Sequence, residues 1–349
     1  MTILFNLSYN TVYGEEIMLN IISGDDASTV EKFKMATRDG NTWTCTVNSL
    51  AKPGATLNYY YSVVKNGIET RREWLVEPHQ LVMTSVKGIN YNVHDNWIDI
   101  PEDSYLYSSA VTDCVAARKK GTLKPVDYSK TLKIKVRAPQ LRSNERLAVM
   151  GEIAELGKWE ALKAYPMTEQ QPNEWVADID ATNITAEAFD LKFVVLDEEK
   201  DYTPMWENNN NRRIVMPKMK NGDVVAIEMG IALFSIYPWK AAGCVIPVFS
   251  LRSEGSFGVG DFGDLKMMID WVAKTGQRVL QILPINDTNI THTWTDSYPY
   301  NSISIYALHP QYADLRQLPE LKDKTRREHY AALQKELNAL PQIDYERVN

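Results

Sequence analysis

The chain has 349 residues, of which 44% are hydrophobic and 24% are charged, and its formal net charge is −7. This length exceeds what one hydrophobic core usually serves, so two or three domains are expected. The acidic balance, with a pI of about 5.4, argues against a nucleic-acid partner, which would require a basic face.

The composition and the chain start also bear on the cellular compartment. Cys45, Cys114 and Cys244 are too few and too far apart for a disulfide framework, which favours a reducing compartment. The first residues lack the basic start and apolar core of a signal peptide, and no apolar run reaches membrane-spanning length. We therefore expect a cytoplasmic protein without a membrane partner.

Residues 1–93 predict a first β-sandwich. Short runs rich in β-branched and aromatic residues, such as TILFNLSY, TWTCTVNSL and LNYYYSVV, are separated by turn residues. The dipeptide Asn66-Gly67 between two such runs is a strong hairpin signal. Residues 94–129 lose the alternation and collect Pro, Ser and a basic run, which predicts a linker that lies against this sandwich.

Residues 130–229 predict a second β-sandwich that repeats the order of elements in the first. Each region has an opening strand, a strand with a tryptophan (Trp43 or Trp175), a hairpin, a second tryptophan (Trp74 or Trp206) and a closing strand. Trp175 stands in the alternating run EWVADID, so it and Trp43 are predicted to lie in the sandwich cores.

Residues 230–349 change to an α/β pattern. The apolar run GCVIPVFSL predicts a buried parallel strand, Asp261 to Thr275 has helical spacing with a stop at Gly276, and VLQILPIND predicts a second buried strand. Strand, helix and strand form a βαβ unit of a parallel sheet. A further helix is predicted from about Lys324 to Leu340. Two buried parallel strands cannot cover themselves, so this segment is expected to belong to a longer protein or to dock elsewhere.

Five residues of the second sandwich form the sharpest constellation of functional side chains: Trp159, Lys192, Trp206, Glu207 and Asn211. A pyranose has apolar faces that an indole can cover and a rim of hydroxyls that Lys, Glu and Asn can bind. Two rings set at an angle suit adjacent glucoses of a curved α-1,4-glucan. Both tryptophans stand in polar turn contexts, which favours exposure over the alternative that they are core residues.

The order LG-x-W, LKF and W-E-x3-N resembles the starch-binding domain of amylases and glucanotransferases, carbohydrate-binding module family 20. This resemblance covers residues 130–229. It implies that Trp159 and Trp206 are a stacking pair and that Lys192, Glu207 and Asn211 are polar contacts to the sugar.

The first sandwich resembles the same family less closely. Its WLVEPH segment places Trp74 in the stacking position, Leu75 in place of the Glu and His79 in place of the Asn. An LG-x-W segment is missing, so sugar binding through Trp74 and a structural role are both open.

Three segments after residue 240, SLRSEGSFGVGDFGDL, VLQILPIND and SYPYNSISIYALHPQYADL, resemble the opening of the catalytic domain of the amylomaltase family (glycoside hydrolase family 77). These disproportionating 4-α-glucanotransferases use a (β/α)8 TIM barrel. The resemblance places Tyr300 beside the reacting sugar and gives Asp287 a supporting loop role, with a cap or turn role as the alternative. The glycine spacing from Gly255 to Gly263 also fits a dinucleotide loop, but without a clear acidic partner.

The expected fold is therefore two all-β immunoglobulin-like sandwiches followed by the first part of a TIM barrel. The resemblance implies a retaining double displacement by two carboxyl groups roughly 5 Å apart. In the family these residues lie further along the barrel, so they are expected downstream of Asn349. Asp261, Asp264 and Asp270 instead suggest a helix start or a solvated helix face.

Three functions are compatible with these patterns. The first is the front of a 4-α-glucanotransferase, inactive by itself, which binds starch, glycogen or maltooligosaccharides. The second is a non-catalytic glucan-binding protein. The third is an α-amylase-type hydrolase, which shares the sandwich but not this barrel opening. The five histidines show no metal-ligand spacing, and neither a metal nor a cofactor is expected.

Overall fold

The computed structural model describes residues 2–23, 29–48, 54–84, 89–118, 126–197, 204–208, 210–235 and 240–349. The chain forms two compact units, residues 1–237 and residues 238–349. The sequence predicts this boundary at 229/230. Among the described residues, no helix is long and apolar enough to cross a membrane.

The first β region is a two-layered sandwich. Its nine strands are β1 Thr2–Ser8, β2 Glu15–Ser23, β3 Thr29–Lys34, β4 Ala36–Thr37, β5 Thr42–Asn48, β6 Thr56–Lys65, β7 Ile68–Arg72, β8 His79–Val82 and β9 Asn90–Asn96. Strands β3-β2-β6-β7, with β8 beside β6, form one layer, and β4, β5, β1 and β9 belong to the other. Asn66 and Gly67 both have positive φ and join β6 to β7, which confirms the predicted hairpin.

The second β region repeats this layering. Its strands are β10 Thr131–Arg137, β11 Glu145–Gly151, β12 Tyr165–Pro166, β13 Thr168–Gln171, β14 Glu174–Asp180, β15 Ala188–Asp197, β16 Met205–Trp206, β17 Arg212–Val215 and β18 Asp223–Ile231. Strands β12-β11-β15-β16, with β17 beside β15, form one layer. Trp43 and Trp175 are buried in the two cores, as predicted.

The two sandwiches share one continuous sheet of eight strands, in the order β13-β14-β10-β18-β9-β1-β5-β4. The link between them is β9, which pairs in parallel with β1 on one side and with β18 on the other. Strand β18 contributes to both cores, because Val224 and Ala226 pack in the first core and Val225 packs in the second. Since β18 belongs to both, the sandwiches form one body.

Residues 97–118 pack as a strap across this body, after β9, which extends three residues into the segment predicted as a linker. They contain a 3-10 turn at Ser104–Tyr107 and a π-helical segment at Ala110–Ala116, with Tyr107 and Ala116 buried. Arg118 forms an ion pair with Glu169 at 2.7 Å and donates to Asn173 of the second sandwich. The segment predicted as a linker therefore contacts the second sandwich directly.

The second unit contains the predicted βαβ element. Strands β19 Gly243–Val245 and β20 Val279–Gln281 are parallel, and helix α1 Phe262–Lys274 lies between them in the chain. Two further helices are α2 Lys324–Ala339 and α3 Tyr345–Val348. Asp261 caps α1 in a capping box with Asp264, and Asp270 is exposed, which confirms the predicted helix start and solvated face. Both strands are shorter than their apolar runs, and the described sheet has two strands. The prediction that they are buried is wrong: in each strand the two end residues are exposed and the middle one is half-buried, because a sheet of two strands offers little cover.

Candidate functional site

Trp159 and Trp206 lie together on the outer face of the second sandwich. Their ring centroids are 6.2 Å apart and their planes are inclined by 42°. Trp206 is 39% exposed, and Trp159 is half-buried against the sheet surface formed by Ala148, Met150 and Val194. The structure thus brings the two predicted stacking residues into one angled aromatic surface.

The loop that carries Trp159 has an unusual backbone. Gly157, Lys158 and Trp159 have φ values of +75°, +47° and +64°. A Cβ on Gly157 would lie 2.4 Å from the carbonyl oxygen of Lys163, so a larger residue does not fit there. The glycine of the LG-x-W sequence therefore permits the turn that presents the indole.

Lys192 shares one face of the sheet with the indole of Trp206. Trp206 lies opposite Val194 on β15, and Lys192 is two residues from Val194, so all three side chains share this face. Lys192 is half-buried, and Asn211 is exposed just before β17 begins. The structure thus places Lys192 on the aromatic face and leaves the amide of Asn211 open to solvent.

Glu207 lies elsewhere than the sequence suggested. It is 2% exposed, because it follows Trp206 and so points to the opposite face. Its carboxylate accepts from the Phe193 backbone N–H at 3.0 Å and forms an ion pair with Arg212 at 2.8 Å. Glu207 therefore lies beneath the aromatic surface, and its assignment as a direct sugar contact is wrong.

Arg212 is a supporting residue that sequence patterns did not identify. Its guanidinium lies 5.1 Å from the centre of the Phe193 ring and donates to the carbonyl oxygens of Met229 and Ile231 on β18. Glu207 and Arg212 together tie the strand of Trp206 to the closing strand of the sandwich. The sequence signal available was the alternation of side chains between the two faces of a strand, because it places Glu207, the residue after Trp206, inward.

The first sandwich contains the same pattern of contacts, which fixes the alignment of the two repeats. Glu73 donates its backbone N–H to the Tyr61 carbonyl and accepts the Tyr61 N–H at 2.7 Å, as Glu207 does with Phe193. Strand pairing then sets Arg72 at the position of Trp206, and His79 at the position of Arg212. The alignment of Trp74 with Trp206 is therefore wrong by two residues, and that of His79 with Asn211 is wrong by one.

Trp74 is therefore not the counterpart of a stacking residue. It is half-buried, and its ring meets buried Tyr107 of the strap edge to face, with centroids 5.1 Å apart. Its backbone N–H donates to the Ile98 carbonyl at 3.0 Å. These contacts give Trp74 a packing role between the first sandwich and the strap.

Tyr300, the predicted cleft residue, is 61% exposed in the second unit. Its ring centroid lies 5.6 Å from that of Tyr298, with the planes inclined by 49°. Asp287 accepts the Asn289 backbone N–H at 2.9 Å, and its carbonyl accepts from Ile303. These contacts correspond to the turn role, one of the two alternatives for Asp287.

Comparison with known proteins finds a family match for one segment of each unit. Residues 130–225 match the model of the starch binding domain family, and residues 246–349 match that of the 4-alpha-glucanotransferase family of glycoside hydrolases. The 4-alpha-glucanotransferase DPE2 of Oryza sativa subsp. japonica is 27% identical over 99% of this chain and 38% of its own length. The 4-alpha-glucanotransferase of Chlamydia trachomatis serovar D is 42% identical over 30% of this chain and 19% of its own.

The chain thus spans well under half the length of these two relatives. Among solved structures, the family 20 carbohydrate-binding module of a maltotetraose-forming amylase from Pseudomonas Saccharophila STB07 is 13% identical. The similarity covers 28% of this chain and 99% of that module, and its TM-score of 0.24 is too low to establish a shared fold. The sequence matches carry the comparison: residues 130–225 are similar to the starch binding domain family, and residues 246–349 are similar to the 4-alpha-glucanotransferase family.

Proposed function

We propose that the protein is a 4-alpha-glucanotransferase whose second sandwich holds an α-1,4-glucan, such as starch, glycogen or a maltooligosaccharide, on Trp159 and Trp206. The observation that carries the binding proposal is the pair of indoles inclined by 42° on one face. Successive glucoses of a curved glucan turn relative to one another, so two inclined rings can each cover one apolar sugar face.

Polar groups around the indoles complete the proposed site. The Lys192 ammonium can donate to sugar hydroxyls, and the Asn211 amide can both donate and accept. The carboxylate of Glu207 stays below the surface, where its pairing with Arg212 keeps β16 and β17 in register with the closing strand. Glu207 thus acts on the sugar only through the position of Trp206.

The second unit supports the catalytic half of the proposal. We propose that β19, α1 and β20 open a (β/α)8 barrel that the remainder of the protein completes. Ile269 and Trp271 of α1 are each 50% exposed, which suits a helix whose apolar side awaits further packing. Tyr300 would then lie beside the reacting sugar, and the two catalytic carboxyl groups would lie beyond Asn349.

The binding proposal is tested by titrating the chain with β-cyclodextrin and with glycogen. Trp206→Ala removes the more exposed ring and should weaken binding at least about tenfold, as truncation of a central aromatic contact does. Trp159→Ala should follow closely. Tyr13→Ala is the matched control, because Tyr13 is a fully exposed aromatic residue of the first sandwich. Unchanged affinity in the folded Trp159→Ala/Trp206→Ala protein would refute the site.

The catalytic proposal is tested with the complete protein and maltotriose. A transferase should yield both longer and shorter glucans without net gain of reducing ends, whereas a hydrolase would release reducing ends. Residues 1–349 alone should bind glucan without transfer. Binding without any reaction in the complete protein would instead support the non-catalytic glucan-binding alternative. A cytoplasmic location remains part of the proposal, motivated by the free thiols of Cys45, Cys114 and Cys244.

A further inference from the structure

We propose that the first sandwich does not bind glucan but acts as a scaffold for the second, to which it is fastened by the buried imidazolium of His79. This inference rests on the proposed glucan site of the second sandwich. It is carried by the residue-by-residue equivalence of the two repeats and by the contacts that His79 makes across their junction.

In the first sandwich, different residues stand at two positions that would hold a sugar in the second. Arg72 stands at the position of Trp206 and pairs with Glu69 at 2.6 Å. Tyr60 stands at the position of Lys192 and is only 7% exposed. Among the described residues of the equivalent surface, an arginine therefore stands in place of the stacking indole and a buried tyrosine in place of the lysine.

An ion pair beneath this surface is present in both sandwiches, but it connects different elements. In the second sandwich, Arg212 pairs with Glu207 and donates to carbonyls of its own closing strand, β18. In the first, the Nε2 of His79 lies 3.1 Å from Glu73, and its Nδ1 lies 3.0 Å from Glu228, which is also on β18. The equivalent positions thus form an ion pair within the second repeat and an ion pair between the repeats in the first.

Three buried carboxyl groups surround His79. Glu73 accepts backbone N–H groups from Tyr61 and Ile98. Asp95 accepts the phenol O–H groups of Tyr59 and Tyr61 through one oxygen, and its other oxygen lies 3.8 Å from His79 Nδ1. His79 is fully buried and stacks on the Tyr59 ring with centroids 5.1 Å apart. One imidazole therefore stands among three carboxylates, two from the first sandwich and one from the second.

Other contacts cross the junction close to His79. Gln170 donates to the Gln80 side chain at 3.0 Å, and Gln171 donates to the Pro78 carbonyl at 3.2 Å. Arg137 lies within reach of the Glu77 carbonyl at 3.4 Å. The β7–β8 loop of the first sandwich is therefore a docking surface for the second sandwich. Its equivalent in the second sandwich, the β16–β17 loop, adjoins the proposed sugar surface.

The fastening is tested with two substitutions in the 349-residue chain. His79→Gln removes the charge and leaves three buried carboxylates, so Tm should fall by roughly 10 °C, as expected when one partner of a buried ion pair is lost. His79→Lys keeps a cation at the same place and should lose less than half as much. Equal losses in both variants would overturn the role of the charge.

A divalent metal is the competing occupant of this cluster, since His79, Asp95 and Glu228 offer three converging ligand atoms. Metal analysis of the purified chain and melting with and without EDTA separate the two. About one metal per chain, with a lower Tm in EDTA, would overturn the imidazolium. An absence of metal and an unchanged Tm support it.

The loss of sugar binding is tested independently of His79. Wild-type chain should bind β-cyclodextrin with a single class of site, and the Trp159→Ala/Trp206→Ala variant should retain none of it. Residual saturable binding that Arg72 or Tyr60 substitutions reduce would overturn the scaffold role. If wild-type chain bound no glucan at all, the proposed function would fail, while the His79 variants would still report on the fastening.

Discussion

Gly157 shows how one residue without a side chain determines the position of the indole next to it. The three residues from Gly157 to Trp159 have positive φ, and the carbonyl of Lys163 closes over the glycine. An L-residue at such a φ is strained, and here a Cβ would also meet backbone that has no room to move. The shape of this loop is therefore specified by the same LG-x-W sequence that supplies the tryptophan.

We expect Gly157→Ala to lower the free energy of unfolding by about 2–3 kcal/mol, which combines strain with a backbone clash. Affinity for β-cyclodextrin should also fall, because Trp159 would be displaced from Trp206. Gly14→Ala is the matched control: Gly14 has φ +89°, but a Cβ there would have no atom within 4 Å, so strain alone should cost about 1 kcal/mol. Urea unfolding and calorimetric titration provide the two readouts, and equal effects of both substitutions would contradict the clash.

Residue by residue, the sequence was informative where a side chain faces solvent. Trp159 and Trp206 were identified from their polar turn contexts, and the structure places both on one face. Glu207 was misplaced because side chains alternate between the two faces of a strand, so the residue after the outward Trp206 points inward. Trp74 was misplaced because the two repeats were aligned two residues out of register. Only pairing with Val194 and Ser62 reveals that register.

At the level of elements, local signals predicted most of the strands and helix α1. The Asn66-Gly67 turn and the Asp261 capping box are local devices, and both are present as expected. Strands β19 and β20 are shorter than their apolar runs. A parallel strand is held and covered by neighbours on both sides, so neither its length nor its burial is a local property.

The shared sheet was beyond what local pattern could reveal. In β10, Leu132, Ile134 and Val136 lie in the second core, and the alternating Lys133 and Lys135 suggest a solvated face. Both lysines are nevertheless buried, with at most 2% exposure. Their face is covered by residues far away in the chain, and alternation reports only that two faces differ. On the β10 side, the interface between the sandwiches is formed by charged residues, so Lys133 and Lys135 carry none of the apolar signature of a core.

Across the whole body, the junction makes stability depend on pH. Burial alone would lower the pKa of His79, but the carboxylates of Glu73, Asp95 and Glu228 raise it from its ordinary 6.5 to about 10. The stabilisation from a raised pKa is complete below pH 6.5 and is lost as pH rises towards 10. We therefore expect Tm to decline over this range in the wild-type chain.

The His79→Gln variant isolates this contribution, because other groups titrate nearby. Burial raises the pKa of Glu77 to about 8, which gives a separate decline between its ordinary 4.5 and 8. Four further groups of this region keep one charge state across the window: burial raises the pKa of Tyr59 and Tyr61 well above 10, while nearby carboxylates outweigh burial and raise those of Lys135 and Arg137. The difference in Tm between wild type and His79→Gln should shrink from pH 6.5 to 10. A constant difference would contradict a titrating imidazolium.

The parallel pairing of β9 with β18 also bears on how the chain reaches its folded state. During synthesis, β9 emerges long before β18, so until then it would be an unpaired edge with its backbone N–H and C=O groups open to any other strand. Pairing between positions so distant in the chain carries a high entropic cost of loop closure and forms slowly. The first sandwich therefore has an interval of exposure to aggregation, and the second sandwich ends that interval when β18 covers the edge.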